Sequence, residues 1–243
     1  MRPIEVPLLA RQALAELLGS AGLVTVVIGS GIAAQRLSPH DTGVELLENA
    51  LVTGVGLVAL ILAFGPVSGA HFNPAVTIAD RVLGRLTGKQ LAVYLPAQVA
   101  GGVLGAIAAN LMFGLDAITV AQHHRSSGAL WFSEVLATFG LIVLIFALVR
   151  SGRASVAPYA VGAYITGAYW WSSSTSFANP MIDVARTLSD TFAGIAPSSV
   201  PMFVLMQLLG TAGAVVAVAV LYPDVIGDVT DDAVVPHLEP AAT

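Results

Sequence analysis

The chain has 243 residues, 56% of them hydrophobic and only 10% charged, with a formal charge of −5 and a mean hydropathy of +0.83. That balance excludes an ordinary soluble domain, and without a basic patch to neutralise phosphates it excludes nucleic acid as a partner. Cysteine is absent, so neither disulfides nor thiolate metal sites are available.

The first apolar run begins near Ala13, behind Arg2 and Arg11, in the manner of a signal peptide. It continues to about Ala34, which is the length of a membrane span, and is expected to be retained. Further apolar stretches predict an all-α membrane protein with spans at about 12–34, 46–66, 90–113, 129–150, 157–173 and 199–222. One compact domain of residues 1–243 results. Its last part, residues 223–243, carries Asp224, Asp228, Asp231, Asp232 and Glu239 and reads as a short acidic cytoplasmic tail.

Two Gly/Ser-rich intervals interrupt this series, and each ends in an asparagine-proline pair: Asn73-Pro74-Ala75 and Asn179-Pro180-Met181, 106 residues apart. Asparagine caps the first free N–H groups of a helix and proline tolerates its first position, so each pair marks a helix start. The helical patterns that follow, Pro74 to Val82 and Pro180 to Thr187, are too short to cross a bilayer and too apolar for a wet loop. They predict two re-entrant half-helices around a wet cavity, since irregular backbone at membrane depth needs protein or water to satisfy it.

The duplication extends beyond the motifs. Ala15-Glu16-Leu17-Leu18 with Gly22 matches Ser133-Glu134-Val135-Leu136 with Gly140. Three spans per half is an odd number, so repeats at about 12–113 and 129–222 must insert in opposite orientations. With the N-terminus inside, seven cations (Arg2, Arg11, Arg81, Arg85, Lys89, Arg150, Arg153) face inward and three (Arg36, Arg125, Arg186) outward, which places both termini in the cytoplasm of a plasma-membrane protein.

Ser68-Gly69-Ala70-His71-Phe72-Asn73-Pro74-Ala75-Val76-Thr77, the second Asn-Pro, the paired Glu16 and Glu134, and six spans together resemble the major intrinsic proteins, the aquaporins and aquaglyceroporins, over about residues 12–222. The resemblance implies a passive channel for water and small uncharged solutes and no enzymatic activity. It also implies a homotetramer with a pore in each protomer, no cofactor and no metal. Asn73, Pro74, Ala75, Asn179, Pro180 and Met181 would form the central constriction, and Glu16 and Glu134 would hold the re-entrant loops through their backbone N–H groups.

The departures are informative. The arginine that the family places three residues after the second asparagine is Ile182 here, and the motif ends in Met181 instead of alanine. Counting from the asparagines gives Thr53, Gly167, Ser176 and Ile182 as the outer selectivity filter, a small neutral set that predicts a wide collar without a fixed cation. Glycerol, or metalloid hydroxides such as arsenous acid, would pass such a collar. The run Ser172 to Pro180 with an aliphatic residue after it resembles a bacterial subgroup linked to arsenic resistance.

Arg186 lies one turn beyond Ile182 and is predicted to sit roughly 6 Å farther toward the outer mouth. Two readings stand open: it draws anionic solutes to the vestibule, or it snorkels to the headgroups or pairs with Asp183 or Asp190. His71 either narrows the inner half of the pore or packs beneath its loop. His123, His124 and Arg125 read as a solvated cluster on an exposed loop, with nothing nearby to complete a metal site. Gly101, Gly102, Gly105 and Ala106, and Gly210, Gly213 and Ala214, fit close helix crossings, while Trp131, Trp170 and Trp171 fall near span ends. Two other functions share parts of this pattern. A secondary carrier also uses inverted repeats but saturates and follows ion gradients, and a water-selective pore would need the missing arginine.

Overall fold

A computed structural model describes residues 6–223; Arg2 and the acidic tail lie outside the described residues. The described residues form eight α-helices: α1 (Leu8–Leu37), α2 (Thr42–Ser68), α3 (Pro74–Val82), α4 (Gly88–Met112), α5 (Gly128–Arg150), α6 (Ala157–Trp171), α7 (Pro180–Arg186) and α8 (Val200–Leu221). No strand occurs among the described residues. Among the described residues, five segments are long and apolar enough to cross a membrane, namely α1, α2, α4, α5 and the stretch Pro197–Leu221 that contains α8. The sixth predicted span, α6, has 15 helical residues, roughly 22 Å, and is prolonged at its start by a 3-10 turn at Ala154–Val156. Most helices overrun the predicted spans; α1 has 30 residues, about 45 Å of helix, more than a hydrocarbon core requires.

Each short helix begins where its asparagine stops the preceding extended chain. Asn73 is extended (φ −152°) and its side-chain oxygen accepts Ala75 N, while Asn179 (φ −160°) caps Met181 N and Ile182 N in the same way. Other ends have equally local causes. Asp41 caps α2, Thr87 and Gln90 form a capping box at α4, and Gly69, with φ +81°, closes α2 in the left-handed conformation that glycine adopts without penalty.

The bundle is built from the contact pairs α1 with α4 and α5 with α8, joined through α2 against α6. Small residues set these crossings. A Cβ on Gly101 would come within 2.2 Å of Leu17 O and one on Gly105 within 2.3 Å of Ala21 O, so α4 lies directly on the backbone of α1. Gly210 stands in the same relation to Val135 O between α8 and α5, at 2.5 Å. In lipid, where apolar side chains gain little by leaving the solvent, such backbone approach is a main source of helix association. Gly213 instead faces Phe139 at ordinary contact distance.

The half-helices pack crosswise, α3 on α4 and α8, α7 on α8 and α4. One end of the bundle gathers the α1–α2 turn, the 113–127 loop and the 187–199 segment: Arg36 Nη2 donates to Phe113 O, Thr119 N to Leu188 O, and Ala196 N to His123 O. This end is called the distal mouth below. At the opposite, proximal end Arg150 Nη1 donates to Tyr222 O, and Gln90 Nε2 to Gln12 Oε1.

Candidate functional site

The centre of the bundle is a polar contact between the two half-helix tips. Asn73 Nδ2 donates to Ala178 O at 2.8 Å and Asn179 Nδ2 to Phe72 O at 2.9 Å. Each asparagine thus uses its oxygen as a cap and one N–H to bind the other loop. The second N–H remains. Both residues line a cavity of about 60 Å³, room for about four waters at the roughly 15 Å³ each needs.

The approach to each tip is strained in the same way. Ala70 and Phe72 have φ of +50° and +47°, and Ser176 and Ala178, three and one residues before Asn179, have +50° and +45°; Thr175 adds +63°. Non-glycine residues in this region cost about 1–3 kcal/mol each and persist only where surroundings impose them. Here the two buried glutamates impose them. Glu16 accepts His71 N (3.0 Å), Phe72 N (2.8 Å), Ser68 Oγ (2.6 Å) and Gln98 Nε2 (2.7 Å). Glu134 accepts Phe177 N (3.0 Å), Ala178 N (2.9 Å) and Gln207 Nε2 (2.6 Å). Charge-assisted bonds of this kind are what makes a fully buried carboxylate tolerable.

Toward the distal mouth the cavity is lined by Thr53, Ser176, Ile182, Tyr169, Phe177 and Arg186. Three of the four counted filter residues are therefore together. Gly167 is not: it lies on an exposed face of α6, where an added Cβ would meet only Trp171 at 3.9 Å. Val161, Ile165 and Tyr169, spaced four apart, turn inward instead. Tyr169 was missed because an offset counted from Asn179 ignores the rotation of α6. Its hydroxyl lies 3.3 Å from Thr53 Oγ1, and the helical spacing of three apolar side chains was the signal that could have found it.

The collar also carries a cation. Arg186 is only 3% exposed and lines the same cavity as Ile182. Its guanidinium stacks 3.6 Å above the Phe177 ring and Nε donates to Ala193 O. It neither snorkels nor, among the described residues, forms an ion pair within 4 Å with Asp183 or Asp190. The expectation of a cation-free collar is corrected accordingly. A long side chain reaches back along the helix face, so four residues of separation did not carry the charge out of the conduit.

Arg125 is a second departure. Expected as solvated, it leans inward, its guanidinium 5.2 Å from the Phe177 centroid, with Nε on Gly194 O and its own N–H on Ser199 Oγ. Burial and the neighbouring Arg186 hold this guanidinium below the usual arginine range. His123 and Arg125 also line an open vestibule at the distal mouth, together with Thr175 and Asp190. Burial first, then the Arg125 and Arg186 charges, push the His123 pKa down, so the ring is neutral at pH 7. No group of three or more candidate metal ligands occurs among the described residues.

In the proximal half, His71 lines the cavity with Nδ1 3.1 Å from Thr77 Oγ1, Nε2 3.7 Å from Asp80 Oδ2, and its ring edge-on to Tyr94. It thus lines the cavity wall and also packs beneath the loop.

A membrane bundle in which two broken helices meet around a narrow water-sized cavity is the build of a channel. The sequence profile of the major intrinsic protein family matches residues 4–171. Aquaglyceroporin AqpS of Rhizobium meliloti (strain 1021) is 46% identical over 206 residues, 85% of this chain and 88% of that protein. Aquaporin NIP1-2 of Arabidopsis thaliana is 36% identical over 174 residues, 67% of this chain and 58% of that one. The X-ray structure of the aquaglyceroporin from Plasmodium falciparum shares the fold with a TM-score of 0.65 at 21% identity, over 90% of this chain and 97% of that one. The chain belongs to the major intrinsic protein family, whose members are passive channels and not enzymes.

Proposed function

We propose that this channel conducts water and small uncharged hydroxylated solutes, glycerol and metalloid hydroxides such as arsenous acid among them. The observation that carries the proposal is the two-sided lining of the distal cavity. Thr53, Tyr169, Ser176 and Arg186 offer hydroxyl and guanidinium groups to a solute's oxygens, while Ile165 and Ile182 face its carbon or metalloid side. The buried Ser176 hydroxyl has no partner among the described residues and is free to receive such a solute. At the centre, the remaining N–H of Asn73 and of Asn179 would orient the passing oxygen and interrupt the water chain. The name of the similar Rhizobium meliloti protein, an aquaglyceroporin, agrees with passage of more than water.

The charge pattern supports the distal mouth as the outer one, with both termini in the cytoplasm of the plasma membrane and two oppositely inserted repeats of about 12–113 and 129–222. Exposed Leu47, Leu51, Val55 and Leu62 along α2, and Phe132 and Leu136 on α5, offer lipid-facing or protomer-facing surface for a homotetramer. Stopped-flow light scattering on proteoliposomes, comparing water, glycerol and arsenous acid, tests the solute assignment. Fast passage of all three without saturation is expected. Rapid water flux with exclusion of glycerol and arsenous acid refutes it.

A further inference from the structure

The two halves of the conduit supply an internal control for one buried group. Four residues after Asn73 stands Thr77, and four after Asn179 stands Asp183. Both face the glutamine that braces their own loop. In the first half Gln98 Nε2 bridges Glu16 Oε2 at 2.7 Å and the Thr77 hydroxyl at 2.9 Å, and that hydroxyl passes its hydrogen to Asn73 O at 3.0 Å. In the second half Gln207 Nε2 bridges Glu134 Oε2 at 2.6 Å and Asp183 Oδ1 at 3.3 Å. A carboxyl group thus stands where the first half has a hydroxyl.

The substitution leaves the site short of a hydrogen. Glu134 and Asp183 are both 0% exposed and are joined through one nitrogen, about 6 Å apart at most. Glu134 draws on two backbone N–H groups and the glutamine amide. Asp183 has the long end of that amide alone, and among the described residues its Oδ2 has no partner, whereas the unpartnered Gln207 Oε1 has its counterpart in Gln98 Oε1 of the first half. The charged groups facing Asp183 are Glu134 from α5, which repels a second negative charge, and Arg186 on its own helix, whose guanidinium is committed to Phe177 and Ala193. Of the helices packed on α7, α4 presents Gly102 to Met181 and Ala185, and α8 presents Gln207.

We propose that Glu134 and Asp183 form a proton-binding site that holds one proton, carried by Asp183, so that the site contains one carboxylic acid and one carboxylate. The acid puts a neutral group where the first half has the neutral Thr77 hydroxyl, in place of a second buried negative charge. Glu134, with three donors, is the ionised member. The consequence for conduction is electrostatic. Asp183 lies one turn from Asn179, and an ionised carboxylate there would draw cations toward the narrow centre; the bound proton removes that charge.

The test is infrared spectroscopy of the full-length protein in lipid vesicles at neutral pH, in light and heavy water. A carbonyl stretch of un-ionised carboxylic acid is expected in the unmodified protein and is expected to shift when its aspartates carry carbon-13. It should vanish in D183N and in D183T, which restores the hydroxyl of the first half. Absence of the band in the unmodified protein, no shift with labelled aspartate, or a band that survives both substitutions overturns the assignment. Isotope labelling separates an aspartic from a glutamic acid without any variant, and D80N, which removes the other buried aspartate of the half-helices, should leave the band in place; loss of the band in D80N overturns the assignment to Asp183 even where D183N and D183T fold poorly. As a second readout, alkaline titration that removes the band should raise potassium leak severalfold in the unmodified protein and leave D183N unchanged. An equal rise in both overturns the electrostatic consequence.

Discussion

Replacing Arg186 with alanine removes the charged group nearest the narrow distal collar. Arg186 lines the cavity, and the charge is felt by a cation that crosses it at about 5 Å from the guanidinium. At that distance, with an effective dielectric constant of about 20, two unit charges repel by about 3 kcal/mol, which corresponds to about two orders of magnitude in cation flux. The substitution also removes the stacking on Phe177, worth about 2 kcal/mol when desolvated, and a charge-assisted bond to Ala193 O of about 1.5–3 kcal/mol. Protein yield and thermal midpoint should therefore fall while water conduction persists. The assay is potassium and proton leak in proteoliposomes under an imposed gradient, normalised to water permeability, for the unmodified protein, R186A and R186K. R186A is expected to leak tens to hundreds of times more, whereas R186K, which keeps the charge but not the planar fork, should leak little and change the glycerol-to-water ratio. A folded R186A that conducts water and leaks cations within twofold of the unmodified protein refutes a blocking role for this guanidinium.

The other substitutions probe separate parts of the same argument. Y169F deletes the hydroxyl beside Thr53 and should change the glycerol-to-water permeability ratio about fivefold, the effect of one hydrogen bond of about 1 kcal/mol; an unchanged ratio by stopped flow removes Tyr169 from the selectivity filter. I182R places a second guanidinium one turn from Arg186 and should depress flux of water, glycerol and arsenous acid alike in the same assay. G101A forces a methyl group against Leu17 O and should destabilise the α1–α4 crossing by about 1–3 kcal/mol, read as a lower thermal midpoint in detergent; wild-type stability would contradict the close crossing. His123 has a lowered pKa, so the unfolded chain binds its proton first as pH falls below 6.5. The channel should lose stability between that point and the folded-state pKa, and H123Q, which cannot titrate, should lose less over the same window.

The sequence by itself determined the spans, the two half-helix starts and the loop-bracing glutamates. Their signals are local: long apolar runs, an asparagine that caps and a proline that cannot continue a ladder, and isolated charges inside apolar segments. Pro74–Val82 was legible to the residue for that reason, and Glu16 and Glu134 reach the loops they were expected to hold. The collar was not legible in the same way. Which face of α6 turns inward depends on how α2 and α5 pack against it, so Tyr169 and not Gly167 reached the cavity. Arg186 came to lie beside Ile182 because Phe177 and the Ala193 carbonyl, both outside its helix, hold its guanidinium there, and Arg125 was drawn in by Gly194 and the same ring. The left-handed backbone at Ala70, Phe72, Ser176 and Ala178 likewise carries no residue signature, since none is glycine. Carboxylates from distant spans impose it, and only the assembled bundle brings them within hydrogen-bonding reach.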